Sequence, residues 1–266
     1  MSFIHPTALI EEGAVLGDDV YIGPYSSVGA QVHLKDRVKL HSHVVIAGDT
    51  EIGEDTEIYP FVSLGHPPQH LSQMDPTMKL RIGKKNVIRE SVTMNLGTGS
   101  GSGVTTVGND GYFMANSHVA HDCVVGDHCV FANCATIGGH AQVNDHVIIG
   151  GLAAIHQHVR VGKHAIIGGM TGVEFDVIPY GSIMGNRAYL AGLNLIGLKR
   201  RGYTRSQIHD LRNAYRLLFA EEGTFQERLV DVAELFEANA EAMEIVNFVR
   251  EDSARGLTMP KNNRNG

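Results

Sequence analysis

The sequence predicts a mainly β protein, a parallel β-helix solenoid followed by a C-terminal α-helical domain. Three observations predict it. An apolar residue recurs at every sixth position through two thirds of the chain. Gly is abundant, at 31 of 266 residues, while aromatics make up 6% and Trp is absent. After Thr204 the apolar spacing becomes helical. A fixed short period is the signature of stacked repeats, and tight corners around a thin core need small residues.

The period runs Ile4, Ile10, Leu16, Ile22, Val28, Leu34, Leu40, Ile46, Ile52, Ile58, Leu64, and returns in frame at Ile82, Ile88 and Met94. Shifted by one, it continues from Val107 through Phe113, Val119, Val125, Phe131, Ile137, Val143, Ile149, Ile155, Val161 and Ile167 to Val173. Gly often follows the large residue, as at Gly17, Gly23, Gly126 and Gly138. A small or β-branched residue sits four places after it, as at Val20, Cys123, Cys129 and Ala135. Asp, Asn, Gly and His crowd the positions between, where left-handed backbone angles are cheapest. Three hexads close a coil of eighteen residues. Residues 66–81 and 96–106 fall out of the period. The first is read as a ligand flap and the second, LGTGSGSGVTT, as a flexible loop. The β-helix domain is taken as residues 1–190 and the helical domain as 191–266. In the latter, Ile208, Leu211, Tyr215 and Leu218 form one stripe behind Thr204 as N-cap. Leu229, Val232 and Phe236, then Ile245, Phe248 and Val249, mark two more helices, and this tail is expected to cap the open sheet edge.

Composition narrows the function. A net charge of -7 argues against nucleic acid as a partner. No apolar run reaches the roughly 18 residues of a membrane span, and no export signal precedes the repeats. Cys123, Cys129 and Cys134 are odd in number and are read as packing residues of a protein from a reducing cytoplasm.

Stacking arithmetic places the chemistry. Residues eighteen apart fall on neighbouring coils, roughly 4.8 Å apart. His121 then stacks on Gly139 and Gly139 on Gln157, while Asp122 stacks on His140. His118 and His156 are placed in one column to either side. None of these residues occupies an inward position. A neutral imidazole, with its ordinary pKa of about 6.5, suits general-base catalysis near neutral pH, and a backbone N–H at a Gly corner suits a developing oxyanion. His121 and Gly139 are therefore the expected centre of an acyl transfer. No G-x-S-x-G elbow is present, so direct attack by the acceptor is expected rather than a covalent intermediate. His5, His33, His41, His128, His146 and His164 are read as structural or solvated.

The motif AHDCVVG, with GGH and IHQ at coil spacing, resembles the UDP-N-acetylglucosamine acyltransferase family. The likeness extends over IHPTALIEEGAVLG, KLHSHVVIAG, NVIRESVTMNLGT, NSHVAHDCVVGDHC and GLKRRGY. The resemblance implies a left-handed β-helix. It also implies a homotrimer with clefts between subunits, and transfer of a 3-hydroxy fatty acyl chain from acyl carrier protein to a UDP-amino-sugar as the first step of lipid A synthesis. It implies His121 as general base with Asp122 behind it, and Gly139 as oxyanion donor. It further implies that His118, His140 and Gln157 contact the sugar nucleotide and that His156 lines the cleft. Asn194, Arg200 and Arg201 would reach the nucleotide and its phosphates, Gln69 would face the substrate, and Gly169 would set the depth of the acyl groove, beside Met170. No cofactor and no metal are implied beyond the carrier thioester as co-substrate.

Four positions depart from the family's pattern: QHLSQ (Gln69 to Gln73) stands for QDLKY, NLIG for NIEG, Asn95-Leu96 for His-Arg, and Arg187 for a His. They bear on acyl-hydroxyl and phosphate recognition and leave open whether the attacking atom is oxygen or nitrogen. From Lys199 to Arg216 the local charge is +5, and from Leu217 to Asp252 it is -8. The basic stretch is a docking surface of the right sign for an acidic carrier protein. Three other readings share the solenoid: a hexapeptide acyltransferase using acyl-CoA, a γ-class carbonic anhydrase binding zinc through His118 and His121, and a non-catalytic scaffold. The three-residue spacing of the two His and the helical tail oppose the second.

Overall fold

The computed structural model describes residues 1–69 and 77–261. Each hexad becomes the same local event. A two-residue strand such as Val124–Val125 runs into a four-residue corner, Gly126 to Cys129, and out into Val130–Phe131. Through the coils every third strand pairs in parallel, and with the two strands of a closing hairpin on the largest sheet the described residues form sheets of 11, 9 and 8 strands. The register is eighteen, as in Phe3↔Tyr21 and His118↔Thr136. The inward column is buried from Ile22 to Val173. Ile4, at 44% exposure, is open because no coil lies beneath the first one. Cys123 and Cys129 are fully buried, and burial pushes both thiols up to about 12.

The corners divide their work between two columns. The third corner residue carries positive φ, as at Asp122 (57°), His128 (56°), His140 (61°) and His146 (60°). The Asp, Asn and His expected there tolerate that conformation best, but Tyr25, Phe61, Leu152, Met170 and Tyr180 hold it too. The glycine column serves a different purpose. Gly126 has no positive φ, but a Cβ on it would lie 2.3 Å from Asp145 Oδ1 and 2.8 Å from Asp145 N on the next coil. Close approach between layers, not backbone freedom, excludes a side chain.

Both excursions are shorter than the broken period suggests. Lys79–Ile82 pairs with Asp49–Ile52, and Val104–Val107 pairs with Lys79–Ile82, so residues 79–82 and 104–107 already belong to the ladder. The pairing offsets are 30 and 25 residues, twelve and seven more than a coil. Of the first excursion, residues 70–76, including most of QHLSQ, lie outside the described residues.

The end of the solenoid is closed by a hairpin before any helix begins. Gly181–Met184 continues the largest sheet, and Tyr189–Leu193 pairs with it antiparallel, across the expected boundary at 190. Helix α1 (Leu195–Arg200) was not expected from spacing. Its N-cap Asn194 accepts from Gly197 N at 3.0 Å and donates to His164 O at 2.9 Å, tying it to the last coils. α2 (Arg205–Leu218) begins at the expected Thr204, in a capping box with Gln207. α3 (Phe225–Leu235) and α4 (Ala240–Arg250) bury Leu229, Val232, Ile245 and Phe248. Glu244 of α4 bonds Lys163 and Tyr180.

Beneath α1 the rings of His128, His146 and His164 stack at 4.7 Å spacings and continue into Tyr180 at 5.5 Å. His164 is 7% exposed, and its Nδ1 has no hydrogen-bond partner among the described residues. Burial first, then the neighbouring His146, Arg201 and Lys163 charges, pull its pKa down to about 4. A ring kept neutral in the fold but free to protonate in the unfolded chain contributes stability that is complete above about 6.5. That contribution is lost as pH falls toward 4. Urea unfolding should therefore show a loss on the order of 3 kcal/mol across that window, and His164→Phe should flatten the profile there.

Candidate active site

The strand His118–Val119 delivers His121 to the corner between the nine- and eight-stranded sheets. Backbone bonds prove the stacking: His140 N donates to His121 O at 3.0 Å, and His158 N to Gly139 O at 3.1 Å. His121, Gly139 and Gln157 thus share one column, and Asp122 and His140 the next. His118 and His156 do not share a column. His118 pairs with Thr136, whereas His156 begins its corner at the position held by Ala120 and Gly138, because the two His are not separated by whole coils.

His121 is 7% exposed, but its ring lies at the prism edge rather than in the core. Its Nδ1 is 2.9 Å from Asp122 Oδ2. The ring packs so closely over Gly139 that a Cβ there would sit 2.4 Å from Cε1 and 2.6 Å from Nε2. The Gly139 amide donates to no protein acceptor among the described residues.

The second excursion, expected to be a flexible loop, is a clamp on Asp122. Thr98 Oγ1 donates to Oδ2 at 2.6 Å and Thr98 N reaches both oxygens at 3.1 Å. Ser102 Oγ and Gly103 N donate to Oδ1 at 3.1 and 3.0 Å. A Cβ on Gly101 would lie 2.5 Å from this carboxylate. Burial raises the Asp122 pKa, but the bonds from Thr98, His121 and Ser102 outweigh it and hold the group below the ordinary carboxylate range. An ionised carboxylate accepts only, so the proton between the two residues belongs to His121 Nδ1, leaving Nε2 as the basic lone pair.

A cleft of about 140 Å³ opens beside the ring, lined by Gln69, Asn95, His118, His121, Gly139 and Gln157 among others. His118 Nδ1 is 2.7 Å from Thr93 Oγ1, and burial lowers its pKa. Asn95 is 5% exposed and anchors the start of the first excursion through His66 O and Pro67 O. His140 stands edge-on to His121 but lies on the other side of the corner. There it stacks on His158 at 4.5 Å and lines a second cleft with Gln142 and Arg160. His156 is exposed, and its Nδ1 is taken by Arg255. His121, Asp122 and His140 have ligand-capable atoms within 4.8 Å of one another. The Asp122 oxygens are already occupied by the clamp's donors.

Four expected residues lie on other edges of the chain. Gly169 sits at the corner facing Gly151. Asn194 caps α1 and bonds the His164 carbonyl. Arg200 is exposed at the end of that helix. Arg201 turns inward, donating to His146 O at 2.9 Å, and desolvation lowers its pKa. Thr98, Gly101 and Arg255 were not singled out from sequence; only the density of small residues in the second excursion marked that loop.

A solenoid edge bearing an imidazole–carboxylate pair, with a free glycine amide and no serine or cysteine among the described cleft residues, defines a β-helix acyltransferase. The hexapeptide-repeat family of bacterial transferases matches residues 105–139, and the family described as UDP-N-acetylglucosamine O-acyltransferase, domain 2, matches 176–258. The acyl-[acyl-carrier-protein]–UDP-N-acetylglucosamine O-acyltransferase of Caulobacter vibrioides is 59% identical over 258 residues, covering 97% of this chain and 98% of that one. That of Azorhizobium caulinodans is 51% identical over 260 residues, covering 98% and 96%. The solved UDP-N-acetylglucosamine acyltransferase of Francisella novicida superposes with a TM-score of 0.94 at 31% identity, covering 98% of this chain and 95% of that one. The Acinetobacter baumannii structure gives 0.93 at 38%, covering 97% and 100%. The chain belongs to the UDP-N-acetylglucosamine acyltransferase family. Its coil is the left-handed parallel β-helix, and the carbonic anhydrase and scaffold readings are set aside.

Gly139→Ala should fold but displace the His121 ring. Turnover should fall by on the order of 10²-fold, as misplacement of a reacting group by about 1 Å costs. Steady-state kinetics beside a thermal melt checks it.

Proposed function

We propose that this chain transfers a 3-hydroxy fatty acyl group from acyl carrier protein to the 3-position of UDP-N-acetylglucosamine or its 3-amino analogue, the first step of lipid A synthesis. The observation that carries the reading is the His121 ring, held by Asp122 at 2.9 Å and packed on Gly139. The acceptor's O–H or N–H gives its proton to His121 Nε2 as the heteroatom attacks the thioester carbonyl. The oxyanion accepts from the Gly139 amide. Collapse expels the carrier thiolate, which takes the proton back from His121. Asp122 remains ionised and stabilises the imidazolium. The thioester is already activated, so no metal or cofactor is required.

The distribution of residues supports a homotrimer. Gly169, Asn194 and Arg200 lie on edges other than the His121 corner, and threefold packing would bring one copy's edge to the next copy's cleft. Carrier docking is supported by Lys199, Arg200, Arg205, Arg212 and Arg216, all exposed and none in a salt bridge among the described residues. No described helix is long and apolar enough to cross a membrane, and the three thiols are free. We place the protein in the cytoplasm.

His121→Ala should lose about 10²-fold or more in turnover while folding normally. Activity with carrier thioesters but not CoA thioesters, with the product read by mass spectrometry against both acceptors, tests the substrates and distinguishes ester from amide. Charge reversal at Arg212 and Arg216 should raise KM for the carrier and leave KM for the UDP-sugar unchanged.

A further inference from the structure

After α4 the chain turns back along the outside of the solenoid as a strap. Asp176, 1% exposed, pins it. The Asp176 carboxylate accepts from Arg160 N (2.8 Å), Arg160 Nε (2.7 Å) and Ser253 Oγ (2.6 Å). Its backbone brackets the strap, donating to Gly256 O and accepting from Thr258 N, each at 2.8 Å. Arg160 also ties α4, through Glu251 and the Phe248 carbonyl.

Between these anchors Arg255 crosses to the corner that carries His156 and Gln157. Its Nε donates to Gln157 O at 2.9 Å and its Nη2 to His156 Nδ1 at 2.6 Å. A guanidinium has only donors and keeps its protons. Nδ1 of His156 also lies 3.3 Å from Gln157 O, but that carbonyl already accepts from Arg255 Nε and the guanidinium is the closer partner, so Nδ1 carries the lone pair and the neutral ring's proton sits on Nε2. The fork also fixes the Gln157 carbonyl, and Gln157 lines the cleft beside His121 and Gly139. One side chain from the end of the chain thus sets a ring tautomer and a backbone carbonyl in two consecutive residues, of which Gln157 lines the cleft and His156 is the exposed residue before it.

We infer that Arg255 is a positioning residue for the acceptor, acting through His156 and Gln157. It presents His156 as an Nε2–H donor and holds Gln157 in place against an oxygen-rich nucleotide sugar. The inference rests on the reading of this cleft as the acceptor site. The strap makes docking of the C-terminal segment a condition for the acceptor site to be fully formed.

Arg255→Met and Arg255→Lys in the full-length chain test it. Loss of a charge-assisted fork should raise KM for the UDP-sugar about five- to tenfold in the Met variant, with kcat within about twofold. Lys can replace one bond but not the fork and should fall between. The ¹⁵N spectrum of labelled histidines, with His156 assigned by the signal missing in His156→Gln, should show a bare Nδ1 in the wild type and mixed tautomers in the Met variant. The other histidine signals report that the fold is retained. An unchanged acceptor KM in the Met variant overturns the inference, as does a wild-type His156 protonated at Nδ1. The ring spectrum needs no substrate. A wild-type protein inactive on every UDP-amino-sugar would therefore sink the proposed function, while the spectrum would still decide whether Arg255 holds the ring.

Discussion

The molecule depends on one constraint: each coil must close in eighteen residues and sit in register on the last. Parallel pairing at 4.8 Å spacing leaves no slack, because a slip of one residue would turn every inward side chain outward. The corners bear the cost. A non-glycine residue held at positive φ costs on the order of 1 kcal/mol, and that cost recurs up the prism. It is offset by full burial of the apolar column and by the ladders between layers, such as the stacked rings of His128, His146 and His164. Because the corners are rigid, they are good places to mount chemistry.

His121 and Asp122 show how that mount is used. Consecutive corner residues diverge, so a dyad formed by neighbours in sequence needs something to hold the carboxylate against the ring. The clamp from residues 98–103 does this. It supplies amide and hydroxyl donors to a carboxylate that burial alone would drive toward protonation. A fully solvated Asp would have no need of such a loop; a buried one without it would lose its charge and, with it, the tautomer of His121.

Much of this was legible in the sequence. The hexad period fixed the layers, the inward column and the buried thiols, and eighteen-residue arithmetic brought His121, Gly139 and Gln157 together. Thr204 as N-cap and apolar spacing marked α2, and apolar spacing alone marked α3 and α4. Other features were illegible for physical reasons. Helix α1 is one and a half turns long, with Gly197 inside it, and depends on Asn194 bonding His164. The clamp joins Thr98 to Asp122 across an insertion that breaks the period. Arg201 reads as a phosphate ligand by motif, yet it turns to a backbone carbonyl of a coil 55 residues earlier. Arg255 lies 98 and 99 residues from its partners, where no periodicity reaches. Gly169, Asn194 and Arg200 came from the resemblance and not from the period, and in this chain they lie on edges other than the His121 corner.

The central claim is that a basic imidazole nitrogen and a glycine amide face one reaction centre. A crystal structure of the chain with its acylated UDP-sugar product tests it most directly. The account predicts the sugar atom bearing the acyl group within hydrogen-bond distance of His121 Nε2, and the acyl carbonyl oxygen on the Gly139 amide. A product bound with its linkage away from both groups, or with His121 Nδ1 rather than Nε2 turned toward it, would contradict the account.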